Sequence, residues 1–136
     1  MRRVCFICLG NICRSPMAEF MMKYYTQNKD VIIASRGTSY EEEGNDMYPP
    51  AKDILTKYHI PFTRHKATRL EVEDYDKFDE FYCMEERNLD RAISILGGDP
   101  KHKVKLLLDR DISDPWYTGN FQSTYEDLLE GIQKII

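Results

Sequence analysis

Short apolar runs alternate with segments of helical periodicity along this chain, and that alternation constrains its fold more than any other feature. Runs with the length and composition of buried strands occupy residues 3–7, 31–34, 80–84 and 104–108. Segments with apolar residues at helical spacing begin near residues 14, 51, 89 and 125. A short acidic helix is predicted over 70–75, and the stretches 37–50 and 109–121 have the composition of loops. Because strands that alternate with helices pair in parallel and are covered on both faces, we expect an α/β fold with helices on both sides of a parallel sheet.

Length, charge and cysteine content narrow the class of protein. The 136 residues, of which 42% are hydrophobic and 31% charged, suit one globular domain spanning 1–136. A net charge of −4 argues against nucleic acid as a partner, because proteins that bind it carry basic surfaces. The first apolar stretch, 4–9, is too short for a membrane span, and it runs into Gly10, Asn11 and Arg14, which a signal peptide would not do. We therefore expect a cytoplasmic protein with no membrane partner, whose four cysteines are reduced.

The segment after the first predicted strand has the composition of an anion-binding turn. It reads CLGNICRSP over residues 8–16 and lies at the carboxyl end of a strand, where parallel sheets bind their ligands. Gly10 and Asn11 tolerate positive φ, which lets successive backbone N–H groups point inward. The helix that begins near Arg14 adds its free N–H groups and the positive end of its dipole. The segment therefore predicts a phosphate site.

Cys8 and Arg14 are the residues of this turn that can carry out chemistry. A cysteine attacks as a thiolate, and a helix N-terminus and a nearby arginine both favour that form. The Arg14 guanidinium can bind two phosphate oxygens in a fork and follow them into the transition state. The Ser15 hydroxyl can donate to the sulfur when it acts as leaving group. The pattern predicts transfer of a phosphoryl group to Cys8.

Other interpretations of these residues have to be weighed. As an isolated pair, Cys8 would more readily be a core thiol and Arg14 a surface residue, but the surrounding glycine, asparagine, serine and proline favour the phosphate site. Cys5 and Cys8 form a CxxC pair that Cys13 and Cys83 could complete as a zinc site. Against zinc, Cys5 lies within an apolar strand and no second CxxC follows. A nucleotide P-loop is excluded, since no Gly-Lys-Ser/Thr follows the glycine.

Phosphoryl transfer to sulfur also requires an acid that protonates the leaving oxygen. Asp114 is the best candidate, because it follows the last strand and belongs to a loop at the same sheet edge as Cys8. Pro115 stiffens this loop, and Trp116 and Tyr117 offer aromatic walls beside it. An ordinary Asp-Pro turn explains the pair equally well on sequence grounds.

Taken together, these motifs resemble those of the low-molecular-weight protein tyrosine phosphatases. The similarity rests on CLGNICRSPMAE at 8–19 and DPWY at 114–117, and it extends to Ser35, to HKATRL from His65 and to CMEERNL from Cys83. It covers essentially the whole chain, in order and in spacing. The order is itself discriminating. In other cysteine-dependent phosphatases the acid usually precedes the cysteine and a histidine stands directly before it.

The resemblance implies a fold and a set of roles. The fold would be a four-stranded parallel sheet with helices on both faces. The reaction would hydrolyse phosphotyrosine in proteins or peptides through a phosphocysteine, without a metal or other cofactor, and inorganic phosphate or vanadate would bind as ligands. Cys8 would be the nucleophile, Arg14 the phosphate clamp, and Asp114 the general acid and then the base for water.

The remaining site residues are also implied by the resemblance. Substrate would contact the turn and the cleft walls through Leu9, Gly10, Asn11, Ile12, Cys13, Ser15, Tyr40, Trp116 and Tyr117. Asn11 and Ser15 would join Ser35 and His65 in a hydrogen-bonded set that holds the phosphate loop. Cys13 would protect Cys8 by forming a disulfide under oxidation. From sequence alone, His65 would be a solvated loop residue, and Tyr40 would as readily be an ordinary surface aromatic. Cys13 lies five residues from Cys8 within one tight loop, which favours a disulfide between them over simple packing under the loop.

Two positions depart from the family pattern, and three rival functions remain. Glu85 stands where an aspartate is common, and Trp116 where a tyrosine is common. An arsenate reductase shares the Cys loop but needs a relay of cysteines, and no partner follows Cys83 closely. A phosphoarginine phosphatase would carry threonine in place of Ile12. A phosphoresidue-binding module would lack a complete set of nucleophile, clamp and acid.

Overall fold

The computed structural model describes residues 1–136 and has one sheet of four parallel strands. The strands are β1 (Arg2–Cys8), β2 (Val31–Gly37), β3 (Glu80–Cys83) and β4 (Val104–Leu106). Their order in the sheet is β2-β1-β3-β4, and every neighbouring pair is parallel. β1 is therefore central, and Cys5 lies opposite Ala34 on one side and Phe81 on the other. The expected sheet is confirmed.

Six helices connect and cover the strands. They are α1 (Arg14–Tyr25), α2 (Pro49–Lys57), α3 (Asp74–Lys77), α4 (Glu86–Leu96), α5 (Pro115–Thr118) and α6 (Phe121–Ile135). The first, second and sixth pack against one another, whereas the fourth packs against β1, β3 and β4. No helix combines the length and the apolar composition that crossing a membrane would require.

The central strand separates two hydrophobic cores. Val4 and Phe6 belong to the larger core, which also contains side chains of α1, α2 and α6. Cys5 and Ile7 belong to the smaller core, which contains Ala92 and other side chains of α4. Because both faces of the strand are buried, its sequence is a continuous apolar run without alternation.

The structure differs from the sequence expectation in two connecting segments. Residues 109–121, expected as loop, include the short helix α5, which begins at Pro115 and is capped by the Asp114 side chain. The acidic helix begins at Asp74 and not near residue 70, because Leu70 is fully buried and its N–H donates to the Gly37 carbonyl. Burial and pairing of Leu70 therefore hold the preceding segment extended.

The chain after β4 crosses the carboxyl edge of the sheet and reaches β1. The Leu107 N–H donates to the Cys83 carbonyl at 2.9 Å, and the Ile112 N–H donates to the Met84 carbonyl at 2.8 Å. The Met84 N–H in turn donates to Ile7 at the end of β1, at 3.1 Å. These bonds bring the segment that carries Asp114 to the strand end that carries Cys8.

Candidate active site

Residues 8–14, here called the Cys8 loop, turn the chain from β1 into α1. Asn11 has a φ of 60°, in the left-handed region, and its N–H points to the Cys8 sulfur at 3.3 Å. Gly37 on β2 lies directly beneath the loop, where a Cβ would stand 2.8 Å from the Leu9 carbonyl oxygen. The tight turn thus requires a residue that tolerates positive φ and a neighbouring strand without a side chain at this point.

The Asn11 side chain ties the Cys8 loop to three other segments. Its Nδ2 donates to the Ser15 hydroxyl at 2.8 Å and to the Ser35 hydroxyl at 3.0 Å. Its Oδ1 accepts from the Thr68 N–H at 2.9 Å. The Ser35 hydroxyl in turn donates a hydrogen bond to a Glu19 carboxylate oxygen, at 2.6 Å. Asn11, Ser15 and Ser35, which the family resemblance groups together, are thus in direct contact.

His65, the fourth member of that group, holds the loop backbone from below. Its Nε2 lies 2.7 Å from the Asn11 carbonyl oxygen, which can only accept a hydrogen bond. The ring nitrogen therefore carries the hydrogen. Burial lowers the pKa of His65, so the neutral imidazole is the form that makes this bond at pH 7.

The Ser15 hydroxyl lies beside the Cys8 sulfur, 2.9 Å from it. A hydroxyl has one hydrogen to donate, and the Ser15 oxygen already accepts from Asn11. Its hydrogen is therefore directed to the sulfur, because the other acceptor within reach, the Arg36 carbonyl, is more distant at 3.4 Å. The same hydrogen bond is available to the sulfur when it acts as a leaving group.

The Arg14 guanidinium is held from the far side of the site, and the side chain is only 1% exposed. One terminal nitrogen donates to the Ile112 carbonyl at 2.8 Å and lies 3.5 Å from a Glu85 oxygen. The other lies 3.4 Å from an Asp114 oxygen. Glu85, the departure from the family pattern, caps α4 and still reaches Arg14. Arginine has five N–H donors, so others remain for a bound anion.

Asp114 is the N-cap residue of α5. One carboxylate oxygen accepts from the Trp116 N–H at 3.0 Å, and the other faces Arg14. The side chain is half-buried, so the carboxyl group remains in contact with solvent. An aspartate in this place can exchange a proton with an atom bound above Cys8.

These residues surround one cleft of about 120 Å³. Its lining consists of Cys8, Leu9, Gly10, Ile12, Cys13, Arg14, Glu41, Glu42, Asp114, Trp116 and Tyr117. Trp116 and Tyr117 remain 51% and 78% exposed. Asn11 and Ser15, expected among the substrate contacts, lie behind the lining and support it. The cleft combines a buried nucleophile and cation with an aromatic outer wall.

Tyr40 does not reach this cleft, in contrast to the expectation from the family pattern. Its ring packs against the Arg69 guanidinium at 4.5 Å, its hydroxyl donates to Glu71, and it is 59% exposed. Glu41 and Glu42 line the cleft instead, and the Glu42 side chain passes over Gly10. Sequence reasoning missed both glutamates, because the acidic run 41–43 was indistinguishable from an ordinary solvated loop.

The other cysteines differ in position and exposure. Cys13 lies in the Cys8 loop, where burial raises the pKa of its thiol. Cys5 and Cys83 belong to the core on the opposite face of the sheet from Cys8, which weakens the zinc interpretation. No three His, Cys, Asp or Glu side chains are grouped so that they could hold a metal ion.

Comparisons with known proteins identify relatives over nearly the whole chain. A family model described as low molecular weight phosphotyrosine protein phosphatase matches residues 3–136. The low molecular weight protein-tyrosine-phosphatase PtpA of Staphylococcus epidermidis is 35% identical, over 100% of this chain and 92% of its own length. The crystal structure of SP-PTP, a low molecular weight protein tyrosine phosphatase from Streptococcus pyogenes, superposes with a TM-score of 0.94 at 36% identity, covering 98% of this chain and 90% of that one. YfkJ from Bacillus subtilis gives a TM-score of 0.94 at 32% identity, covering 99% and 92%.

Proposed function

The chain belongs to the low molecular weight protein tyrosine phosphatase family, and we propose on that basis that it hydrolyses phosphotyrosine monoesters through a phosphocysteine on Cys8. The observation that carries the proposal is that Cys8, Arg14 and Asp114 line the same cleft. Cys8 and Arg14 come from the two ends of one turn, and Asp114 comes from the segment after β4. A nucleophile, an anion clamp and an acid are thereby within reach of one phosphate group.

In the first step the Cys8 thiolate attacks phosphorus. The S–P bond forms as the bond between phosphorus and the tyrosyl oxygen breaks, and Asp114 gives its proton to that oxygen. Arg14 donates to two of the phosphoryl oxygens, on which charge accumulates in the transition state. Tyrosine leaves as the neutral phenol, and the phosphoryl group remains on sulfur.

In the second step water releases the phosphate. Asp114, now a carboxylate, takes a proton from water, whose oxygen forms a new bond to phosphorus as the S–P bond breaks. The leaving thiolate accepts the hydrogen bond of the Ser15 hydroxyl, 2.9 Å away. Inorganic phosphate is the product, and both it and vanadate are expected to bind the site. Because the nucleophile must stay reduced, the reaction suits the cytoplasm.

The cleft favours an aromatic phosphate over phosphoserine. Trp116 and Tyr117 form its outer wall, while the Cys8 sulfur lies at the end of a buried strand. A phenyl ring carries the phosphate far enough to reach the sulfur and packs against aromatic side chains on the way. The shorter aliphatic side chain of phosphoserine offers neither the reach nor the ring.

The rival functions have less support in the structure. A relay cysteine for arsenate reduction needs a mobile, reactive thiol, but Cys83 is fully buried at the end of β3 and burial strongly raises the pKa of its thiol. Ile12 lines the cleft where a phosphoarginine phosphatase would carry threonine. The acid in the cleft argues against a module that only binds phosphoresidues.

The test is the turnover of phosphotyrosine, phosphoserine and phosphoarginine peptides by the wild type and by Cys8→Ser, with arsenate reduction as a control. We expect wild type to prefer phosphotyrosine, and Cys8→Ser to lose turnover while it still binds vanadate. Acid quenching of the wild type during turnover should trap phosphate on Cys8, detectable by mass spectrometry. A Cys8→Ser variant that keeps a tenth of wild-type activity would rule out the covalent mechanism.

A further inference from the structure

An aromatic contact connects the cleft wall to α2. The ring centroids of Tyr48 and Trp116 are 4.7 Å apart, with 55° between the ring planes. Tyr48 is the aromatic residue against which Trp116 packs, and it also lies 6.1 Å from Phe121 at the start of α6. Aromatic pairs at this distance contribute stabilisation beyond that of the area that they bury.

Tyr48 is attached to the Cys8 loop independently of Trp116. Its N–H donates to the Ile12 carbonyl at 2.9 Å, and its side chain packs against the small cluster that contains Ile12 and Cys13. As the N-cap residue of α2, it also accepts from the Ala51 N–H through its carbonyl. The ring is therefore fixed relative to the loop that carries Cys8.

Trp116 in turn determines where the Asp114 carboxylate lies. The backbone N–H of Trp116 donates to an Asp114 carboxylate oxygen at 3.0 Å, within the first turn of α5. That helix has only four residues, Pro115–Thr118, and a helix of one turn is not stable by itself. The position of Asp114 must therefore come from contacts with the rest of the protein. The contact of Trp116 with Tyr48 is one, and the longer contact of Asp114 with Arg14, at 3.4 Å, is another.

We propose that Tyr48 is a positioning residue for the general acid, holding Trp116 and through it Asp114 at a fixed distance from the Cys8 loop. The inference rests on the function proposed above. A displacement of about 1 Å in a reacting group can cost roughly 10²-fold in rate. Removing the Tyr48 ring should thus impair protonation of the leaving group and leave anion binding unchanged.

The experiment compares Tyr48→Leu, Tyr48→Phe and wild type on aryl phosphates whose leaving groups differ in basicity. For Tyr48→Leu, kcat/KM should fall by roughly 10-fold to 100-fold with phenyl phosphate, which needs the acid. The loss should be less than about threefold with a fluorinated coumarin phosphate, whose leaving group needs little protonation. Tyr48→Phe keeps the ring and should behave as wild type. Vanadate should bind all three alike.

Tyr58→Leu is the matched control. Tyr58 is the C-cap residue of α2, the helix that Tyr48 precedes, and its ring stacks on Tyr125 with the ring centroids 4.0 Å apart, against the larger core. Its replacement removes an aromatic pair of the same kind away from the cleft. We expect it to lower stability without making kcat/KM more dependent on the leaving group.

Trp116 is the single tryptophan of the chain, so its fluorescence reports the contact directly. Acrylamide should quench this emission more strongly in Tyr48→Leu than in wild type, Tyr48→Phe or Tyr58→Leu. Increased quenching together with the leaving-group effect supports the proposal. The proposal is refuted if kcat/KM of Tyr48→Leu falls by the same factor with every leaving group, or if Tyr48→Phe does not keep the wild-type rate. It is also refuted if acrylamide quenches Tyr48→Leu no more strongly than wild type. A failure of the phosphatase proposal can be told apart from these outcomes. In that case the wild-type protein itself would carry no phosphate on Cys8 after acid quenching.

Discussion

Replacing Asn11 with alanine should destabilise the fold by an amount that can be worked out from its contacts. Alanine has to adopt the left-handed conformation at a φ of 60°, which costs about 1–2 kcal/mol. The lost side chain also leaves the Thr68 N–H without its acceptor, at about 1–3 kcal/mol. The hydroxyls of Ser15 and Ser35 keep other partners, Cys8 and Glu19, so they add little. The expected loss in the free energy of unfolding is about 2–5 kcal/mol.

Asn11→Gly separates the two contributions. Glycine loses the same three hydrogen bonds but adopts positive φ without steric cost, and it loses instead about 0.5–1 kcal/mol of chain entropy on folding. We therefore expect Asn11→Gly to be more stable than Asn11→Ala by roughly 0.5–1 kcal/mol. Asn120→Ala is a control, because Asn120 caps α6 with one hydrogen bond and has a φ of −97°. Its loss should be about 1 kcal/mol.

The assay is equilibrium unfolding in urea, with kcat on p-nitrophenyl phosphate measured in parallel. Both Asn11 variants should also lose activity, since Ser15 no longer receives the hydrogen bond that directs its hydroxyl to Cys8. An Asn11→Ala variant destabilised by no more than Asn120→Ala, or one more stable than Asn11→Gly, would refute the reasoning from conformation and hydrogen bonding.

The remaining predictions concern the acid and the second loop cysteine. Asp114→Asn should lose on the order of 10²–10⁴-fold in kcat/KM on phosphotyrosine, and less on substrates with weakly basic leaving groups; an equal loss on all of them would indicate a structural role. Peroxide should oxidise the Cys8 thiolate to a sulfenic acid, which the Cys13 thiol then attacks to form a disulfide with release of water. Wild type should thus regain most of its activity in dithiothreitol, whereas Cys13→Ser should stay inactive with Cys8 as sulfinic or sulfonic acid. Full recovery of Cys13→Ser would leave Cys13 a packing residue. Because burial raises the pKa of Cys13, protection of the wild type should be weaker at pH 6 than at pH 8.

The parts of the structure that the sequence predicts are those decided by nearby residues. β1 is buried on both faces, which makes its sequence a continuous apolar run, and α1 begins at Arg14 with Pro16 in its first turn. The Cys8 loop lies between them and closes within a few residues, so its glycine and asparagine indicate the turn. By contrast, α5 depends on a capping side chain and on packing against Tyr48. Neither the cap nor this aromatic contact leaves a repeating pattern of apolar residues in the sequence, which is the signal that predicts the longer helices.

The connection between β2 and α2 explains why the residues of the cleft wall could not be assigned in the same way. A loop has no period, so its attachment points decide which side chains face a site. Here the Gly44 N–H donates to Ala67 at 2.8 Å, and the Tyr48 N–H donates to Ile12. These bonds turn Tyr40 away from the cleft, place Glu42 over Gly10, and set the Tyr48 ring against the acid-bearing segment. Because both bonds join residues far apart in the chain, the wall of the cleft depends on the tertiary structure. The turn at its floor, although other segments support it, carries its cysteine, glycine, asparagine and arginine within one short segment, and that is why the sequence indicates it.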